Sequence, residues 1–165
     1  MRIKIHTISL ASLTISLVFA FASTANAQDG VRLNKAIELL ESDQVAFGLL
    51  SFDYSLTNAR SLARSGLDFI IIDMEHAPFD IERAREFMLG MTDKRSILEK
   101  GNLQPDVVPF IRIPATGGED VLSQTKQALD VGAFGVMFPS VSTREQAEMS
   151  VRAARYPQLN GAADY

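Results

Sequence analysis

A chain of 165 residues has the length of one domain, and 47% hydrophobic with 22% charged residues is a globular balance that excludes wholesale disorder. The absence of cysteine excludes disulfides, thiolate metal sites, a cysteine nucleophile and a lipidated cysteine. A net charge of −4 with no dense basic run provides no electrostatic footprint for nucleic acid.

The chain opens on Arg2 and Lys4, followed by Ile8 to Ala22, where Ser and Thr are the only polar residues. Ala25-Asn26-Ala27 then places small residues at the two positions a signal peptidase reads. Basic start, apolar stretch and small-residue exit, in that order, predict a secretory signal over residues 1–27, cleaved after Ala27. The apolar stretch falls short of the about 20 residues a membrane span requires, so no stable anchor is expected. The expected product, residues 28–165, is periplasmic or secreted. His6 leaves with the signal, and His76 is then the one histidine available for chemistry.

From Gln28 onward, short apolar runs alternate with helical periodicity. Leu33, Ala36, Ile37 and Leu40 mark one face of a leading helix. Phe47 to Leu50 is the first strand. Ser55 caps a helix carrying Leu56, Ala59, Leu62 and Ala63, with Gly66 as its expected end. Leu67 to Ile72 has no polar alternation after Asp68, as expected of a strand covered on both faces. Asp80 caps the next helix, with Ile81, Ala84, Phe87 and Met88. The mixed charges of Gly90 to Pro105 read as a surface insertion or long loop. Val107 to Ile111 is the third strand, with Pro109 a question for its pairing. Val121, Leu122, Thr125, Ala128 and Leu129 line a helix that ends before Gly132, and Phe134 to Phe138 is the fourth strand. Ser142 and Glu145 predict a capping box opening a last helix with Ala147, Val151 and Ala154.

Four strand–helix units imply right-handed βαβ connections and a parallel sheet, either an open doubly wound sheet or part of an eight-stranded barrel. In both, reactive groups gather past the carboxyl ends of strands. Those positions hold Ser51-Phe52-Asp53, Asp73-Met74-Glu75-His76, Arg112-Ile113-Pro114 and Pro139-Ser140. Each also has a structural use. His76 can be a turn residue bonded to the backbone, Asp73 or Glu75 a helix cap, and Arg112 the partner of either acid in an ion pair. Asp130 can simply end its helix, and Gly117-Gly118 is a turn. Together the rim residues divide chemical labour: a histidine has a reference pKa of about 6.5 and serves as base, a carboxylate orients it, and an arginine fork suits a carboxylate or a developing enolate. That combination suggests proton transfer next to a carbonyl.

Phe47-Gly48-Leu49, the run from Phe69 through Asp73-Met74-Glu75-His76-Ala77-Pro78, Val108-Pro109-Phe110-Ile111-Arg112, Leu129-Asp130-Val131-Gly132-Ala133 and Arg155-Tyr156-Pro157 resemble the HpcH/HpaI aldolase/citrate lyase family. The likeness is strongest to its 2-keto-3-deoxy-sugar-acid and hydroxy-ketoacid aldolases and covers residues 45–157. The resemblance implies an α/β fold of the (β/α)8 TIM-barrel type, with four βα units present, and a carbon–carbon lyase. Its reaction would be metal-dependent, reversible aldol cleavage releasing pyruvate or a related 2-oxo acid. By the same resemblance His76 is the base, Arg112 stabilises the enolate, and Asp130 corresponds to the acid credited with raising the histidine's basicity. Asp130 precedes the fourth strand, at the rim opposite His76, so it would reach the site only across a subunit contact. Asp73 is the simpler partner for the ring. Ser51, Pro139 and Ser140 join Arg112 as expected substrate-binding residues.

The chain also departs from the family pattern. The family's direct metal ligands, a Glu and an Asp on later strands, have no counterpart here, so no direct ligand is expected, and Glu75 would sit behind the metal (Mg²⁺ or Mn²⁺) holding its water. The arginine-glycine element that usually follows tyrosine-proline is absent, and a secretory signal is unusual for the family. The expected chain is thus the amino-terminal half of a barrel that forms homo-oligomers when complete. A periplasmic organic-acid binding module without chemistry, or a citryl- or malyl-thioester lyase, are the competing readings. The second would need a coenzyme A pocket, and no basic cluster for nucleotide phosphates is apparent.

Overall fold

A computed structural model describes residues 31–115 and 121–156. The expected signal segment, the Gly117-Gly118 turn and residues 158–165 lie outside them.

Four parallel strands, β1 (Gly48–Ser51), β2 (Phe69–Asp73), β3 (Val108–Arg112) and β4 (Val136–Met137), form one sheet in the order β1-β2-β3-β4. Helix α1 (Lys35–Glu41) precedes β1 and α2 (Leu56–Leu62) follows it. Helices α3 (Ile81–Met91) and α4 (Lys94–Lys100) connect β2 to β3, α5 (Val121–Asp130) connects β3 to β4, and α6 (Arg144–Ala153) follows β4. Neighbouring strands in sequence are neighbours in the sheet, joined by helical crossovers, as the βαβ reading requires.

Because side chains alternate across a strand, each strand feeds two environments. Ile70, Ile72 and Met74 from β2 and its end, with Ile111 and Ile113 from β3, pack against Ala59, Ala84, Phe87, Val121 and Ala128 of the helices. The opposite face carries Phe69, Ile71 and Asp73, beside Val108, Phe110 and Arg112. On it the Phe69 and Phe110 rings lie 5.7 Å apart and tilted by 31°. Two glycines flank them and make room: a Cβ on Gly48 would stand 2.2 Å from the Phe69 ring, and one on Gly135 would stand 3.0 Å from the Phe110 ring. Each ring thus packs over a glycine of, or just before, the neighbouring strand.

Helix α1 is tied beneath the amino ends of the strands. Lys35 Nζ lies 2.7 Å from Asp68 Oδ1 and donates to the Asp106 carbonyl at 3.2 Å, and Asn34 Nδ2 donates to the Phe134 carbonyl at 3.0 Å. Asp68, Asp106 and Phe134 each precede a strand, so one short helix ties three strand entries and leaves the carboxyl ends clear.

Several local expectations need correction. Gly90 to Pro105 is not a loop: α3 runs to Met91, and Asp93 caps α4 by accepting from the Arg95 and Ser96 amides. Gly101, at φ +69°, ends that helix in the left-handed conformation glycine tolerates. Helix α2 stops at Leu62 rather than at Gly66, because Ser65 bonds the Leu62 carbonyl through both its amide and its hydroxyl. The capping box of α6 is Thr143 with Gln146, one residue beyond the expected pair. Pro109 costs the sheet no bond. Ile111 and Ile113 donate toward the β4 side, which puts the Pro109 nitrogen on that side too, before β4 pairing begins at Ile111 and Val136.

The packing of Phe69 over Gly48 makes a prediction. Gly48→Ala drives a methyl into the Phe69 ring and should destabilise the fold by about 1–3 kcal/mol, whereas Gly66→Ala, with nothing within 4 Å, should be neutral or slightly stabilising. Urea unfolding midpoints compare the two; equal midpoints would contradict that packing.

Candidate active site

Register brings the central pair together. Asp73 ends β2, Arg112 ends β3, and the two are Cα partners across the sheet. Arg112 Nε donates to Asp73 Oδ1 at 2.8 Å, and Nη2 donates to Oδ2, a two-pronged fork. Beyond β2 the chain curls around the same carboxylate. Asp73 Oδ1 accepts from the backbone amides of Glu75 at 2.9 Å and His76 at 3.4 Å, an Asx-type turn. This turn carries the His76 ring back until Nδ1 is 3.2 Å from Asp73 Oδ2 and 2.8 Å from Arg112 Nη2. It also places Glu75 Oε2 3.1 Å from Arg112 Nη1 and 3.8 Å from His76 Nδ1.

Exposure is graded. The Asp73 side chain is fully buried, that of Arg112 is 18% exposed, and that of His76 is 63% exposed. Burial pushes the Asp73 carboxyl toward protonation. The Arg112 fork, then the Glu75 amide and the His76 ring and amide, outweigh it and hold the carboxyl far below the usual carboxylate range. The same fork raises Arg112 above its ordinary value, against the opposing effect of burial. Three guanidinium hydrogens are thereby directed at Asp73 and His76, and Nη1 is ion-paired with Glu75.

His76 Nδ1 faces a choice. It can donate to Asp73 or accept from Arg112, and not both at once. Withdrawing Arg112 would let Nδ1–H bond Asp73 and free the Nε2 lone pair toward solvent.

The remaining expected residues lie elsewhere. Ser51 is buried, and its hydroxyl serves its own loop, accepting from Asn58 Nδ2 at 3.1 Å and the Asp53 amide at 3.3 Å. Pro139 and Ser140, with Ser140 at φ +59°, line a small cleft with Ile113 and Pro114 on the same rim. Asp130 is exposed at the end of α5, paired with Lys126 one turn back, at the amino end of β4. Within this chain it does not join the cluster. Tyr54, which directly follows Ser51-Phe52-Asp53, donates its hydroxyl to the Asp73 carbonyl, a role that no periodicity in the sequence marks.

The divalent metal implied by the resemblance finds an incomplete donor set. Ligand atoms of Asp73, Glu75 and His76 lie within 4.8 Å of one another. Both Asp73 oxygens are already taken by Arg112, His76 and backbone amides, and Arg112 Nη1 stands 3.1 Å from Glu75 Oε2, so a guanidinium already supplies the positive charge among these ligand atoms. The described residues therefore do not fit a direct metal site.

Comparison with known proteins identifies the family. The pattern that defines the HpcH/HpaI aldolase/citrate lyase family matches residues 49–162, and the chain belongs to that family. It is 36% identical over 126 residues to the hydroxypyruvate/pyruvate aldolase of Roseobacter denitrificans, covering 76% of this chain and 43% of that protein. It is 30% identical over 124 residues to the 5-keto-4-deoxy-D-glucarate aldolase of Escherichia coli K12, covering 75% and 43%. Among solved structures, an HpcH/HpaI aldolase/citrate lyase family protein of Burkholderia cenocepacia superposes with a TM-score of 0.62 at 30% identity, over 79% of this chain and 48% of that one. An HpcH/HpaI aldolase of Desulfitobacterium hafniense gives 0.57 at 27%, over 76% and 43%. The chain spans less than half the length of the curated relatives it matches, and its four βα units are those of a TIM-type α/β barrel.

The electrostatics carry a pH prediction. Because its folded pKa is depressed, Asp73 contributes stability that is fully present above the unfolded value near 4 and is lost as pH falls toward the folded one. Asp73→Asn should cost about 3 kcal/mol at pH 7 by leaving Arg112 without its partner. The gap between wild type and variant should narrow below about pH 4. Urea unfolding from pH 7 to pH 3 measures it, and a gap independent of pH would contradict the assignment.

Proposed function

We propose that the protein acts as a carbon–carbon lyase, cleaving a hydroxy-ketoacid by a reversible aldol reaction to pyruvate or a related 2-oxo acid and an aldehyde. The observation that carries this reading is the Asp73–Arg112–His76 cluster at the carboxyl rim, in a chain of the HpcH/HpaI family. A 2-oxo acid draws Arg112 toward its carboxylate and keto oxygens, which releases His76 Nδ1 to Asp73 and frees Nε2 as base. His76 then takes the proton from the substrate hydroxyl. The carbon–carbon bond breaks, its electron pair moves onto the keto acid as an enolate, and Arg112 holds the developing oxyanion. Protonation of the enolate carbon completes the products, and the reverse order makes the bond.

We assign the family's divalent cation, Mg²⁺ or Mn²⁺ on the preference of hard ions for oxygen ligands, no direct ligand among the described residues and no step above. Glu75, on the open side of Arg112, would at most orient groups around it. Export rests on the sequence of residues 1–27, and self-association on the family resemblance. Among the described residues no helix is long and apolar enough to cross a membrane.

For protein produced from its native reading frame, His76→Ala should lower the rate of pyruvate release from a hydroxy-ketoacid by about 10²–10⁴-fold. Arg112→Lys, which keeps the charge and loses the planar fork, should also impair turnover. A coupled pyruvate assay reads both, and unchanged turnover in His76→Ala would end the mechanistic assignment.

A further inference from the structure

We propose that Tyr54 is a positioning residue for the His76–Asp73–Arg112 cluster, fixing the carboxyl end of β2 through its hydroxyl. The kinetic part of this inference rests on the aldolase reading above; the structural part does not.

The geometry starts with the backbone of β2. The Asp68 carbonyl accepts from Val108 and the Met74 amide donates to Arg112, both at 2.9 Å, so even-numbered residues direct their backbone groups toward β3. Odd-numbered residues therefore face β1. Asp73 is odd, and β1 ends at Ser51, opposite Ile72. The Asp73 carbonyl thus points past the end of its neighbour strand, where a buried acceptor would otherwise lack a partner. The Tyr54 hydroxyl supplies that partner from the loop between β1 and α2.

Tyr54 is built to be a firm support. It is 8% exposed, and its loop is bonded on itself: Asn58 Nδ2 donates to Ser51 Oγ at 3.1 Å and to the Asp53 carbonyl at 2.8 Å, and Asp53 Oδ1 accepts from the Ser55 amide at 2.9 Å. Burial, then the negative charges of Asp73 and Asp80, raise the Tyr54 pKa, so its hydroxyl stays protonated and able to donate. The residue it holds is the hub of the site. Both Asp73 oxygens are committed to Arg112 and His76, and a tilt of the Asp73 peptide displaces both partners together. Small displacements of reacting groups are costly to rate, which makes the hydroxyl a determinant of turnover although it touches no substrate.

Tyr54→Phe tests this by deleting the donor and keeping the buried ring. In ¹⁵N-histidine-labelled protein, the variant should shift the His76 Nδ1 resonance, and kcat for pyruvate release should fall about tenfold with KM within twofold. Ile70→Val, which loosens the helix-facing core away from the cluster, should leave both readouts at their wild-type values and so separates positioning from general destabilisation. A shifted His76 signal in protein whose wild type cleaves no hydroxy-ketoacid supports the role of Tyr54 and rejects the aldolase reading. An unmoved His76 signal, or a Tyr54→Phe kcat equal to that of the wild type, overturns the proposal.

Discussion

The pairing of Asp73 with Arg112 across the carboxyl ends of two adjacent parallel strands is the constraint on which the site depends. Parallel register makes the two residues neighbours, and complete burial of the carboxylate makes their partnership obligatory. An ionised acid in that position is tolerated because a guanidinium fork and two backbone amides surround it. The same bonds that stabilise the acid also set the turn that returns His76 to the cluster. Fold and site therefore meet in one carboxylate.

The rest of the described fold serves that meeting. One face of β2 and β3 is committed to the helices through Ile70, Ile72, Ile111 and Ile113. The other face fills its lower part with the Phe69–Phe110 pair and leaves its upper part to Asp73 and Arg112. Helix α1 ties the opposite rim. Helix α1's polar contacts hold the amino ends of the strands and the Asp73–Arg112–His76 cluster lies at the carboxyl ends, the rim where β/α barrels carry their sites.

Much of this was legible in the sequence, for identifiable reasons. Strands covered on both faces leave solid apolar runs, and Asp80 and Ser55 cap helices through bonds made within three residues. Asp73 and Arg112 are 39 residues apart, yet both end an apolar run, and parallel pairing aligns such ends. What escaped had no local signature. Helix α4 buries none of its residues, so no apolar stripe marked it. The α6 capping box slipped by one because Ser142 and Thr143 offer the same hydroxyl, and the Gln146 amide, which donates to Thr143 Oγ1, decides between them. Tyr54 reaches a backbone carbonyl on another strand, a contact that exists only once the sheet has formed. Ser51 stood in a rim position, but its hydroxyl bonds its own loop, which position alone does not reveal.

A double-mutant cycle on Asp73→Asn and Arg112→Lys, read by urea unfolding at pH 7, tests the central pair most directly. Coupling of about 1–3 kcal/mol between the two changes is the outcome expected of a buried, shared fork. Additive single effects would mean that the two groups do not depend on each other, and would contradict the account of the site.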